Sequence, residues 1–337
     1  MTDIIADVAS QFLHSEKIKS IRKLEAGHIN ETMIITAGRK YICQKMNSRL
    51  YADKLNALGH NYLSYAAAYT KDADILNDWI VPGWLTCPDG SFFYTDQNGD
   101  LWRMYEYVDG ISGKEVLGSL SPSGRSGFVY ECGRTLCKMH FILMRMDEYP
   151  EPVLPKLHNL SYHYGNYVTT RRSAGDNSPH DLIIEKIIGE KIEGFMTISV
   201  HNDSFVHGDA KIDNMLFVNS RGISFIDLDT ISVGSAFDDV ADSIRSCCFE
   251  EGSVNPDLMK AFIDGYRDDQ YLIHDEINEK SIMPVLYKNM FELGIRYYTD
   301  YLNENKYFQE VYPGQNHNRL VPLWRVLYKV RLAAPKA

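Results

Sequence analysis

The stretch Phe205-Val206-His207-Gly208-Asp209-Ala210-Lys211-Ile212-Asp213-Asn214, with the residues that follow it as far as Asp229, constrains this chain more than any other feature. Two short apolar runs, 215–218 and 223–226, flank Asn219-Ser220-Arg221-Gly222 and predict a hairpin. Asp209 and Asn214 stand five residues apart in the loop before it, and Asp227 closes its second strand. Phosphoryl transfer asks little covalent chemistry of a protein. It needs a carboxylate to orient and deprotonate the attacking hydroxyl, and oxygen ligands for magnesium on the nucleotide phosphates. Asp209 is the candidate base, and Asn214 and Asp227 are hard oxygen donors that suit Mg²⁺ better than zinc. A lone His-x-Asp is common, and Asp and Asn form turns freely. Specificity comes from the order: apolar run, His-x-Asp, Asn, hairpin, Ile-Asp. His207 reads as a brace for the loop rather than a proton carrier.

A chain of 337 residues exceeds one usual hydrophobic core, so two lobes are expected. The formal charge of −10 argues against nucleic acid as a partner, because a phosphate backbone selects basic surface. Six cysteines, Cys43, Cys87, Cys132, Cys137, Cys247 and Cys248, show neither C-x-x-C nor zinc spacing and read as reduced thiols. No run approaches the ~20 apolar residues of a membrane span, and the N-terminus lacks the order of a signal peptide. The expected location is the cytoplasm.

Ile4, Ile5, Val8, Phe12 and Leu13 recur at helical spacing. Strand signals follow at 33–36 and 41–44, helical periodicity at 50–68, and strand signals again at 80–85, 91–95 and 101–108. Helices are expected near 122–146, 180–200, 238–249, 255–272, 279–302 and 318–333, with 148–179 an irregular excursion containing short helices. The predicted architecture is α+β: a small lobe with an antiparallel sheet (1–104), a connector (105–109), and a larger, mainly helical lobe (110–337).

With these blocks in place, the chain resembles a family. His207-Gly208-Asp209 with Asn214, Ile226-Asp227, and Gly234 with Asp239 are similar to the signature of the aminoglycoside phosphotransferase and choline kinase superfamily. Gly27-His28-Ile29-Asn30, Tyr41 to Asn47, Asp227-Leu228-Asp229-Thr230, Asp242 to Arg245, Gly294-Ile295-Arg296 and Tyr307-Phe308 resemble bacterial N-acetylhexosamine 1-kinases in particular. The resemblance implies a bilobal protein-kinase-like fold, ATP and Mg²⁺, and phosphorylation of the anomeric hydroxyl of GlcNAc or GalNAc. Asp239 would be structural. Asn30, near the first strand turn, would lie over the phosphates, and backbone groups of Glu106 and Val108 would meet the adenine edge. His28, Arg296 and Tyr307 would hold the acceptor, supplying donors, acceptors and a stacking face for a neutral sugar.

Two departures stand out. The strand position that usually carries a phosphate-binding lysine is Gln44, with Lys45 beside it, and alternation sends these two to opposite faces. No glutamate occurs between Asn47 and Asp78, so the usual Lys–Glu pair cannot form there. Competing readings are a kinase of another small alcohol, such as choline, ethanolamine, homoserine or an aminoglycoside, and a nucleotide-binding pseudokinase.

Overall fold

The computed structural model describes residues 2–14, 16–24, 30–76, 78–174, 181–200, 204–250, 252–268, 276–305, 308 and 314–331. Helix α1 (Thr2–Leu13) opens the chain, followed by β1 (Ser20–Lys23), β2 (Glu31–Thr36), β3 (Lys40–Met46), helices α2 (Ser48–Tyr51) and α3 (Leu55–Lys71), and strands β4 (Phe93–Thr95) and β5 (Leu101–Glu106). The five strands form one wholly antiparallel sheet in the order β1-β2-β3-β5-β4. Its alternation sorts the side chains. Met33, Ile35, Tyr41, Cys43, Trp102 and Met104 pack on Val8, Ala9, Phe12 and Leu13 of α1, each large side chain contributing about 2–3 kcal/mol by burial. Ile34, Ile42 and Tyr105 cluster on the opposite face, and Gln44 and Arg103 share that face by register.

Residues 80–85 were expected to form a strand, and they make only one bridge, Trp84 to Tyr105. Pro82 has no N–H for a ladder and restricts the residue before it. The segment instead runs along β5, with Glu106 N donating to Gly83 O at 2.8 Å and Leu85 N to Met104 O at 2.9 Å.

The remainder is mainly helical. It contains β6 (Ile111–Ser112), α4 (Gly113–Ser119), α5 (Pro122–Leu143), α6 (Leu160–Ala174), α7 (Leu182–Met196), β7 (Ser204–Val206), β8 (Met215–Val218), β9 (Arg221–Phe225), β10 (Ser232–Gly234), α8 (Ala236–Cys247), β11 (Phe249–Glu250), β12 (Ser253–Val254), α9 (Pro256–Arg267), α10 (Glu279–Leu302) and α11 (Gln315–Lys329). The hairpin β8–β9 forms as expected. Where short helices were expected within an irregular excursion, one of them, α6, runs for 15 residues. Its Gly165 and the Val168-Thr169-Thr170 run hide its length from propensity, while packing on α10, with Tyr167 against Tyr298 at 6.0 Å, stabilises it. The protein thus has a small antiparallel-sheet lobe and a larger helical lobe. Among the described residues no helix is long and apolar enough to cross a membrane.

Helices α5 and α9 cross backbone to backbone. A Cβ at Gly133 would fall 2.1 Å from Phe262 O, and one at Gly265 would fall 1.9 Å from Tyr130 O. Neither helix can give way without opening the core around Phe262 and Tyr266, both buried. Gly133→Ala should therefore destabilise the protein by about 3 kcal/mol, read as a lower denaturant midpoint. An unchanged midpoint would show that the helices part freely.

Candidate active site

Strand β7 delivers His207-Gly208-Asp209 to the cleft between the two lobes. The turn is fixed by Asp239, in the first turn of α8, whose carboxylate is 1 % exposed. It accepts from His207 N at 2.7 Å and Gly208 N at 2.9 Å, and lies 2.9 Å from His140 Nε2. Burial raises the Asp239 pKa, but the His140 hydrogen bond and the surrounding charges and amides more than offset it, so the group stays below its ordinary value. Gly208 has φ +80°, and a Cβ there would meet Thr230 O at 2.5 Å, so only glycine fits. His207 is fully buried. Its Nδ1 accepts from Asp209 N at 3.2 Å, which leaves Nε2–H to donate to Ile226 O at 3.1 Å. Both ring nitrogens are committed to backbone.

Asp209 is 31 % exposed and ion-paired with Lys211. Asn214 Nδ2 donates to its Oδ2 at 3.1 Å and to its carbonyl at 2.8 Å. Desolvation pushes the Asp209 carboxyl up. The Lys211 charge and hydrogen bond, helped by His207 and Arg245, pull it further down, to about 2. Asp209 is thus an ionised acceptor at neutral pH and a weak base, which suits a reaction whose transition state needs the hydroxyl aimed more than stripped. Both partners of Asn214 Nδ2 are acceptors, so its amide orientation is set and Oδ1 remains for another ligand.

Asp227 ends the hairpin in the left-handed conformation, φ 63° and ψ 56°. Its side chain reaches the cleft surface and has no hydrogen bond among the described residues. Protein crowding on its other sides, then the Asp229 charge, raise its pKa despite the opposing Lys211. A carboxylate left without a protein donor in this setting can take a cation. The described residues contain no cluster of three His, Cys, Asp or Glu side chains able to hold a metal. A metal on Asp227 and Asn214 Oδ1 would therefore complete its shell with water and phosphate oxygens, the habit of Mg²⁺ rather than of zinc.

On the sheet side, Gln44 and Lys45 diverge as alternation requires. Lys45 Nζ meets Asp100 at 2.6 Å, while Gln44 faces the cleft, bonded to Thr32 Oγ1 and Arg103 Nε at 3.1 and 2.9 Å. Asn30 is buried, its Oδ1 accepting from Asn47 N at 3.0 Å. Tyr107 N donates to Lys40 O at 3.2 Å, so the amide and carbonyl of Glu106 point to the other edge of the strand. The Glu106 amide is taken by Gly83. Its carbonyl and the Val108 amide, which has no partner among the described residues, are the polar groups this stretch can offer.

Arg296, on α10, lies over the Phe308 ring at 5.7 Å. One turn earlier Glu292 is 3 % exposed, with His163 Nε2 at 3.8 Å and His158 Nδ1 at 4.0 Å. Burial raises Glu292 to about 7 against the opposing His158 and Arg296 charges. His158 Nε2 in turn contacts Gly208 O at 2.8 Å, which ties this cluster to the loop carrying Asp209. His28 and Tyr307 lie outside the described residues. Sequence reasoning missed Lys211, although it sits inside the loop motif, and missed the pairing of Arg103 with Asp229, which no local spacing could have linked. Glu292, His158 and His163 come from separate segments and likewise carried no signal.

The phosphotransferase enzyme family model (APH) matches residues 20–272. Among solved structures, a choline/ethanolamine kinase family protein from Mesorhizobium loti superposes with a TM-score of 0.63 at 10 % identity, covering 97 % of this chain and 95 % of that one. Wild-type aminoglycoside 2′-phosphotransferase-IIIa, solved with GDP, gives 0.59 at 13 % identity, covering 96 % and 97 %. Spectinomycin phosphotransferase, solved with ADP and spectinomycin, gives 0.53 at 14 % identity, covering 94 % and 92 %. At such identities these likenesses speak for the fold alone. The family rests on the match over residues 20–272, which spans most of the chain: the protein belongs to the phosphotransferase enzyme family.

Proposed function

We propose that this small-molecule phosphotransferase moves the γ-phosphate of ATP to the anomeric hydroxyl of an N-acetylhexosamine. The observation that carries the phosphotransfer reading is the ionised Asp209 held by Lys211 and Asn214, in the same cleft as a carboxylate, Asp227, that lacks a donor. Asp209 accepts the hydrogen bond of the acceptor hydroxyl and takes up its proton as the new P–O bond forms and the bond from the γ-phosphorus to the β-phosphate oxygen breaks, releasing ADP. Asp227 and Asn214 Oδ1 would hold Mg²⁺, which when bound neutralises the phosphate charge. The Glu106 carbonyl and the Val108 amide meet the adenine edge, in a connector (105–109) between lobes 1–104 and 110–337. The six cysteines are free and buried, which suits a reducing cytoplasm.

The acceptor reading rests on the sequence resemblance and on the mixed chemistry around Arg296. A guanidinium, two imidazoles and a carboxyl raised to about 7 offer both donors and acceptors to hydroxyls and an acetamide. Asp238 favours a second reading, a cationic alcohol: it is buried, and its Oδ1 has no partner. A panel of GlcNAc, GalNAc, glucose, choline, homoserine and kanamycin, with ATP and Mg²⁺, decides by ADP release. N-acetylhexosamines should be preferred over glucose, because a site that bonds the acetamide is left unpaired without it. The product should be an acid-labile 1-phosphate with phosphorus coupled to the anomeric proton. Arg296→Ala should raise the acceptor KM by about 10- to 100-fold, the worth of a charged hydrogen bond, and leave the ATP KM unchanged. A 6-phosphate, or turnover of choline or kanamycin alone, would overturn the hexosamine reading. Nucleotide binding with no turnover on any acceptor would favour a pseudokinase.

A further inference from the structure

A kinase-type site places a cation on the nucleotide's phosphates, commonly a lysine on the strand that here carries Gln44. Lys45 does not stand in for it, because its ammonium is engaged with Asp100 on the opposite face of the sheet. Directly across the ladder from Gln44 stands Arg103. Cross-strand partners share a face with Cβ atoms about 5 Å apart, so Arg103 carries its charge into the space that a lysine at position 44 would reach.

The guanidinium is held on several sides. Nε donates to Gln44 Oε1 at 2.9 Å, Nη2 to Asp229 Oδ2 at 2.9 Å, and Nη1 to Asp229 Oδ1. The Trp84 and Tyr105 rings lie 5.1 and 5.7 Å from its Cζ. These bonds use three of its five N–H donors, leaving two. The side chain is 2 % exposed, and it lines a small cavity together with Tyr105, Ile226 and Asp227. A bidentate pair buried this deeply is no better for stability than apolar residues of the same volume. Its placement beside Asp227 gives it another use.

We propose that Arg103 is the phosphate-binding cation of this chain and Asp229 the carboxylate that orients it, together replacing the strand lysine and helix glutamate. The inference rests on the nucleotide reading of the cleft. Asp229 follows Asp227 by two residues, so the same pair also ties the candidate metal loop to the sheet that receives the nucleotide.

Calorimetric titration of the full chain with ADP and with adenosine, without added metal, separates a phosphate contact from a structural one. Arg103→Gln should weaken ADP binding by about 10- to 100-fold, the worth of one charge-assisted hydrogen bond, and adenosine binding by less than about threefold. Adding Gln44→Lys to Arg103→Gln restores a cation across the ladder and should recover about tenfold of the lost ADP affinity. Where Arg103→Gln fails to fold by circular dichroism, Arg103→Lys carries the test. It keeps the charge but loses the planar fork, so ADP should weaken at least about threefold with adenosine unchanged. Equal losses of ADP and adenosine, or unchanged ADP affinity in a folded variant, would overturn the assignment. A wild-type chain that binds neither ligand would instead overturn the nucleotide reading itself.

Discussion

Asp209→Asn should lower turnover by about 10²–10⁴ while ATP affinity and fold stay as they are, the range expected for removing a positioned base. The fold should survive because the loop is clamped by Asp239 through the amides of His207 and Gly208, bonds that do not involve the Asp209 side chain. Lys211, itself 31 % exposed, can turn to water when its partner loses charge. An amide in place of the carboxylate keeps the shape but can neither take up the hydroxyl proton nor orient it as an anion does. ADP release at saturating acceptor, beside a titration with ATP, gives both quantities. Asp213→Asn is the matched control: Asp213 lies in the same loop and, among the described residues, pairs only with exposed Lys114 at 3.0 Å, so its loss should leave turnover unchanged. Near-normal turnover in a folded Asp209→Asn protein would remove Asp209 from the reaction.

The part of the site that could be read in advance lies within one stretch of chain. His207, Asp209, Asn214 and Asp227 are near neighbours in sequence, joined by a short antiparallel hairpin with one register shift between Leu216 and Phe217, so spacing along the chain becomes spacing in the cleft. Asp239 belongs to the same block. The long helices were legible for a similar reason, since 3.6-residue periodicity is local. The failures were non-local or masked by one residue. Pro82 sits in an apolar run that reads as a strand, and α6, expected only as a short helix, is extended to 15 residues by its packing on α10. Arg103 and Asp229 are 126 residues apart, and each alone looks like an ordinary strand or turn residue. The sequence did carry one negative sign, the glutamine at position 44 and the missing helix glutamate, and the buried pair answers it.

Asp227→Asn should make nucleotide binding indifferent to magnesium and lower turnover on the order of 10³-fold or more, since a bound cation accounts for several kcal/mol of charge stabilisation in such reactions. Asparagine is the right replacement. The residue sits at φ 63°, which asparagine adopts about as readily as aspartate, whereas alanine would add backbone strain to the loss of charge. The neighbouring carboxylates are poor alternatives. Both oxygens of Asp229 accept from Arg103, and Asp242 Oδ1 lies 2.7 Å from Arg245 Nη2. Asp227 is left as the carboxylate in this loop with no cationic hydrogen-bond partner, so it is where a metal costs no existing bond. Titrating ADP into wild type and Asp227→Asn, each with magnesium and with chelator, reads the effect directly. In wild type the two curves should separate; in the variant they should coincide. A variant that keeps the wild-type magnesium dependence would move the metal from Asp227 to Asp229 or Asp242, and would detach the candidate metal site from the Ile226-Asp227 motif.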